Sequence, residues 1–121
     1  MPKGVFLAYT NCVERGRDEE FNRWYTHTHL PDLLKAQGVV SARRFFNLNP
    51  GVGPSQYLAL YEIESDDIQA SIADLKAHAR ASFPKGRHVD FLTVGALHSF
   101  QEIEPDSLEP LEVVDYPRTA R

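Results

Sequence analysis

At 121 residues, with 42% apolar and 25% charged side chains, the chain has the size and composition of one globular domain. Seventeen acidic against thirteen basic side chains leave a net charge of −4, which argues against a general binder of phosphate backbones. The single cysteine, Cys12, allows neither an internal disulfide nor a cysteine-built zinc cage. No apolar run reaches the roughly 20 residues of a membrane span. Met1-Pro2-Lys3-Gly4 leads directly into strand-like sequence rather than a signal peptide, so a cytoplasmic setting is expected.

Residues 4–12 (GVFLAYTNC) read as a strand, rich in β-branched and aromatic side chains. Alternation puts Val5, Leu7, Tyr9 and Asn11 on one face and Phe6, Ala8, Thr10 and Cys12 on the other. Both sets are largely apolar, so both faces should be covered. Asp18 can cap a helix over 19–29, with Phe21, Trp24, Tyr25 and Thr28 on one side. Pro31 should kink that helix or start a new one, and Gly38 should close the segment in a left-handed cap. Residues 39–48 and 56–63 form two strands joined by the turn-rich Asn49–Ser55 segment.

A second helix opens at Ser65-Asp66-Asp67, where Asp66 and Gln69 have the spacing of a capping box. Ile68, Ile72, Leu75 and Ala79 make its buried stripe, and it should end near Ser82. Residues 88–102 read as a last strand with Gly95 marking a bulge. The domain is thus expected over 1–103, with 104–121 an extended tail whose Leu111–Tyr116 stretch could lie along a partner surface. The order β-α-β-β-α-β is the ferredoxin-like α+β arrangement, a four-stranded antiparallel sheet with two helices on one face. Strands apolar on both faces then call for a second copy, sheet against sheet, and a homodimer is expected.

Phe21-Asn22-Arg23-Trp24-Tyr25, His29-Leu30-Pro31-Asp32-Leu33-Leu34, Gly38–Phe45 and Tyr57–Glu62 together resemble the EthD-like branch of the dimeric α+β barrel superfamily. The resemblance covers about residues 4–102. It implies a small-molecule pocket between sheet and helices in each subunit. Across the wider superfamily that scaffold serves polyketide cyclases, methylmuconolactone isomerase and cofactor-free quinone-forming monooxygenases, so the fold alone does not name a reaction.

Of the five histidines, His29 stands out. On a helical wheel at about 100° per residue it lies about 80° from Phe21, at the edge of the apolar face. It also precedes the Leu30-Pro31 break and falls within the matching motif. An imidazole there can move a proton near neutral pH, or it can simply prop the kink through a backbone hydrogen bond. His27-Thr28-His29 is not read as a metal site, because on a helix the two rings diverge by about 160° and no third ligand follows at local spacing. His98 is a second candidate, dependent on which sheet face meets the helices. Tyr9 and Asn11 share a strand face and could hold a developing enolate. Trp24, Tyr25, Tyr61 and Phe91 are candidate pocket walls. Arg43 and Arg44 point to opposite faces, so at most one looks into the pocket; Arg43 is the binding candidate, either selecting a carboxylate or enolate or pairing with Glu62 or a partner acid.

The leading expectation is a cofactor-independent enzyme of lyase or isomerase type. His29 would remove a proton beside a carbonyl of a small apolar or aromatic metabolite, with Tyr9, Asn11 and His98 as further catalytic candidates. The alternatives are a non-catalytic ligand-binding or accessory protein and a cofactor-free monooxygenase. Neither metal, cofactor, nucleic acid nor membrane enters any of these readings.

Overall fold

The computed structural model describes residues 1–106; of the expected tail, residues 107–121, with the Leu111–Tyr116 stretch, lie outside them. The chain runs β1 (Lys3–Cys12), α1 (Asp18–Trp24), a π-turn (Tyr25–His29), α2 (Leu30–Leu33), β2 (Val39–Phe46), β3 (Tyr57–Glu64), α3 (Ile68–Ser82), a 3₁₀ turn (Phe83–Lys85) and β4 (Leu92–Gln101). The four strands form one sheet in the order β2-β3-β1-β4, every neighbouring pair antiparallel. This is the expected ferredoxin-like α+β fold. Among the described residues no helix is long and apolar enough to cross a membrane.

Strand alternation decides which face the helices cover. On β1, Gly4, Phe6, Ala8 and Thr10 are buried while their neighbours are only partly so. On β3 the same holds for Ala59, Tyr61 and Ile63, and the register sets Phe6 beside Tyr61 and Ala8 beside Ala59. Phe21 from α1 and Ile68, Ile72 and Leu75 from α3 pack onto this face and complete the core. The opposite face carries Leu7, Tyr9, Leu58 and Leu60, with Phe45 (45% exposed) and Phe100 (56% exposed) at its sides. Within one chain, then, the helices cover one apolar sheet face and leave the other bare.

Several local features differ from expectation for physical reasons. Asp18 is the first residue of α1 rather than its cap, and its carboxylate instead accepts the Tyr57 hydroxyl at 2.7 Å. Asp67, not Asp66, caps α3: it is extended (φ −136°) and its Oδ1 accepts the Ala70 amide at 3.0 Å. Of the two readings of Pro31 the second holds: a short helix, α2, starts at Leu30 with the proline in its first turn, directly after the π-turn. A proline ring crowds the carbonyl four residues earlier, at His27, and the helix widens into the π-turn there. β4 begins at Leu92 rather than His88, because the 86–91 segment is held to the helices through Arg87. Gly95 does mark a bulge. The register with β1 shifts between Tyr9 and Thr10, and a Cβ on Gly95 would lie 2.8 Å from the Pro54 carbonyl oxygen.

Gly38 links α2 to β2 with φ +85°, and a Cβ there would come within 2.6 Å of Ser71 Oγ and 2.9 Å of Ser65 Cβ. Those serines share a hydrogen bond of 2.8 Å at the start of α3. Gly38→Ala is therefore expected to destabilise the fold by more than about 1 kcal/mol, measured by urea unfolding of the variant against the parent chain.

Candidate functional site

The π-turn shapes the site. Its widened ring, closed by the Leu30 amide on the Tyr25 carbonyl, brings residues five apart over one another. The Trp24 indole accordingly stacks on the His29 imidazole, with centroids 4.8 Å apart and planes 22° from parallel. Tyr25 meets the same imidazole edge-on at 4.9 Å. Aromatic contacts of this kind add about 0.5–1.5 kcal/mol each beyond their burial. Together they hold His29 in one orientation, 7% exposed.

A second restraint comes from the strap between α3 and β4. Arg87 grips Asp32 of α2 through Nε to Oδ2 at 2.8 Å and Nη2 to Oδ1 at 3.0 Å. This two-point geometry is the strong form of an arginine–carboxylate pair, and it holds the Asp32 carboxyl below its ordinary pKa. The Trp24 indole N–H donates to the Arg87 carbonyl at 2.9 Å, so the strap also fixes the ring that covers His29.

His29 lines a cavity of about 230 Å³ between the helices and the sheet. Its walls are apolar: Phe6, Ala8, Leu33, Leu75, Ala79 and Leu92 all contribute. Thr10 and Tyr61 line it as well; the Tyr25 phenol is the polar neighbour of both, but neither the Thr10 Oγ1, the Tyr61 hydroxyl nor the His29 Nδ1, all buried, makes a well-formed hydrogen bond. A buried polar group left unpaired costs roughly 1–3 kcal/mol, a cost that a ligand pairing with these groups would relieve. Burial, with a smaller contribution from His88, pushes the His29 pKa down to about 4, while Asp32 opposes the shift. Burial raises the Tyr25 and Tyr61 phenols. At neutral pH the cavity thus holds a neutral imidazole beside protonated phenols, a proton acceptor next to proton donors.

Of the candidate residues, His29, Tyr25 and Tyr61 line the cavity, with Trp24 behind His29. Tyr9, Asn11 and His98 do not join them. Tyr9 and His98 lie on the other face of the sheet, their rings edge-on at 5.3 Å, because odd-numbered β1 residues point away from the helices. Asn11 is spent on structure: its Oδ1 accepts the Gln56 amide at 2.8 Å. Arg43 is on that outer face too, paired with Glu62 at 2.7 Å, which settles its two readings in favour of the ion pair. Phe91 is buried in the core beneath the Arg17 guanidinium at 3.8 Å and is not a cavity wall.

Thr10, Asp32 and Arg87 were not singled out in the sequence, and of the two arginines on opposite faces Arg44, not the candidate Arg43, is the inward one. Arg44 faces the helices, its guanidinium 4.6 Å from the Tyr25 ring, and it donates to Thr26 Oγ1 at 3.3 Å. Thr10 had a signal, since it alternates with Phe6 and Ala8; the Asp32–Arg87 pair spans 55 residues and had none. A larger hollow of about 790 Å³ lies open under the 47–56 loop, with Arg44 and Tyr57 in its wall but neither His29 nor Tyr61. Among the described residues no group of three or more His, Cys, Asp or Glu side chains is placed to hold a metal ion.

No family model matches the sequence. No curated protein matches it either. Solved structures do. HapK from Hahella chejuensis superposes with a TM-score of 0.60 at 12% identity, over 89% of this chain and 98% of its own. A DABB family protein with a ferredoxin-like fold from Mesorhizobium loti gives 0.57 at 13% identity, over 86% and 98%. A variant of MhuD, with two manganese protoporphyrin IX molecules bound per active site, gives 0.55 at 20% identity, over 88% and 98%. The fold is that of these ferredoxin-like proteins. At such identities the likeness extends to the fold alone.

The low His29 pKa has a sign that can be checked. The unfolded chain takes up this proton near the ordinary value of 6.5, the folded chain only near 4. Stability is undiminished above pH 6.5 and falls as pH drops from there to about 4, by about 3 kcal/mol in all. The His29 ring resonances should titrate near pH 4 in an NMR series, and His29→Phe should flatten the stability loss over that interval in urea unfolding.

Proposed function

We propose that the chain is a cofactor-independent acid–base enzyme of lyase or isomerase type, acting on a small oxygenated metabolite with an apolar or aromatic body. The observation that carries this reading is that His29, Thr10 and Tyr61 all line one apolar cavity, their Nδ1, Oγ1 and hydroxyl buried and without a well-formed hydrogen bond. A ligand carbonyl hydrogen-bonded by Thr10 and Tyr61 becomes a better electron sink. His29 then takes the adjacent carbon-bound proton, and the same hydroxyls hold the enolate. A histidine of pKa about 4 is a weak base in the empty site. The developing enolate charge favours the imidazolium and strengthens it when it acts. Cyclisation, dehydration, isomerisation and carbon–carbon cleavage all begin with this step.

The EthD-like placement belongs to the same proposal and is supported by the residues 21–25 and 29–34. So does the homodimer, supported by the uncovered face of Leu7, Leu58, Leu60 and Phe100. Burying it between two copies would remove an apolar surface of a kind that monomers rarely leave contiguous. Leu7 sits in the middle of the sheet, beside Leu60 and His98. Leu7→Glu should convert the dimer to monomer in analytical ultracentrifugation; a parent chain that sediments as a monomer overturns this part.

The acid–base step can be tested without the natural substrate. 2-Tetralone, a bicyclic ketone with acidic protons beside its carbonyl, should exchange them for deuterium faster with the protein than without, followed by NMR in D₂O. His29→Gln should abolish the acceleration, and Tyr61→Phe should reduce it by about tenfold or more. Binding of 2-tetralone with no acceleration would instead identify a binding module. Acceleration that survives His29→Gln would remove His29 as the base.

A further inference from the structure

The cavity mouth carries a charge pattern that the acid–base chemistry does not use. Lys76 and Arg80 both line the cavity and lie four residues apart on α3, so one helical turn sets both on the same edge. Lys76 folds over the apolar wall, its Nζ 5.7 Å from the Phe6 ring centroid. No aspartate or glutamate lines the cavity. Among the described residues Arg17, Arg23, Arg43 and Arg87 each pair with a carboxylate, whereas Lys76 and Arg80 pair with none. The chain as a whole carries a net charge of −4, so its overall field repels anions. Any attraction for an anion at this opening is local to these two side chains.

We propose that the ligand of this cavity is a monocarboxylate, an apolar or aromatic acid that bears a carbonyl or hydroxyl at its far end. This deepens the acid–base reading and rests on it. The oxygen at the buried end meets Thr10, Tyr61 and His29. The carboxylate stays at the mouth, where Arg80 is exposed and Lys76 half-buried, and the two cations neutralise it without drawing it out of water. An arginine presents a planar fork to a carboxylate and a lysine a mobile point charge, so the pair can hold an anion whose exact position varies with ligand length. The 230 Å³ volume suits a ligand of one or two rings.

The test compares 6-hydroxy-2-naphthoate with its neutral primary amide, the two matched in shape, by isothermal titration calorimetry. The parent chain should bind the acid at least about tenfold more tightly than the amide, with the preference shrinking as salt is raised. Lys76→Met with Arg80→Met should bring the acid to the affinity of the amide measured on the same variant. Lys76→Arg with Arg80→Lys should restore the preference, which a merely misfolded variant would not allow. Equal affinities in the parent chain, a preference that survives the double methionine variant, or failure of the acid to bind would each overturn the proposal. The 2-tetralone exchange stands apart from these outcomes, because that ketone carries no charge. Exchange dependent on His29 alongside no carboxylate preference would sink the ligand class and leave the acid–base reading intact.

Discussion

The site depends on where the first helical segment widens. A regular helix from Asp18 to Leu33 would have to carry Pro31 against the carbonyl of His27, and the π-turn over Tyr25–His29 removes that conflict. The same turn stacks Trp24 on His29 and points Tyr25 at its edge. A backbone accommodation to one proline thus places the imidazole at the cavity. The ring is then held from outside by the Arg87–Asp32 pair and the Trp24–Arg87 hydrogen bond, which tie three segments together at one point.

That restraint has an electrostatic consequence. His29 is buried against aromatic rings, so the charged imidazolium loses its hydration and the neutral form prevails. Asp32 would favour the charged form, but its carboxylate is already engaged by Arg87. Arg44 adds a second cation close to the phenols, over the face of Tyr25, and opposes the burial that raises Tyr25 and Tyr61. A proton acceptor and proton donors therefore line one cavity at neutral pH, the pairing that acid–base chemistry requires.

The sheet separates two roles by the parity of its residues. Even-numbered positions of β1 face the helices and build core and cavity, and odd-numbered positions make the outer apolar face. The bulge at Gly95 resets β4 against β1, so that Val94 and Leu97 both reach the cavity although they lie three positions apart, an offset that strict alternation would put on opposite faces. One strand consequently supplies the cavity with Thr10 and the outer face with Tyr9.

Element order, the left-handed Gly38 and the Gly95 bulge were all legible in the sequence, because each follows from local periodicity or from a conformation that only glycine adopts cheaply. His29, Tyr25 and Tyr61 were legible as candidates for the cavity they line for the same local reason, each lying at or beside an apolar face. What sequence could not decide was parity. A strand apolar on both sides does not declare which side meets the helices, and so Tyr9, Asn11 and His98 were grouped with a site from which they lie apart. Nor could it reveal Arg87, whose partners Asp32 and Trp24 lie 55 and 63 residues away and meet it only once α3 has packed. Local backbone chemistry is written along the chain and can be read there. The choice of face and the long-range ion pair depend on which surfaces pack together, and only the folded chain makes that choice.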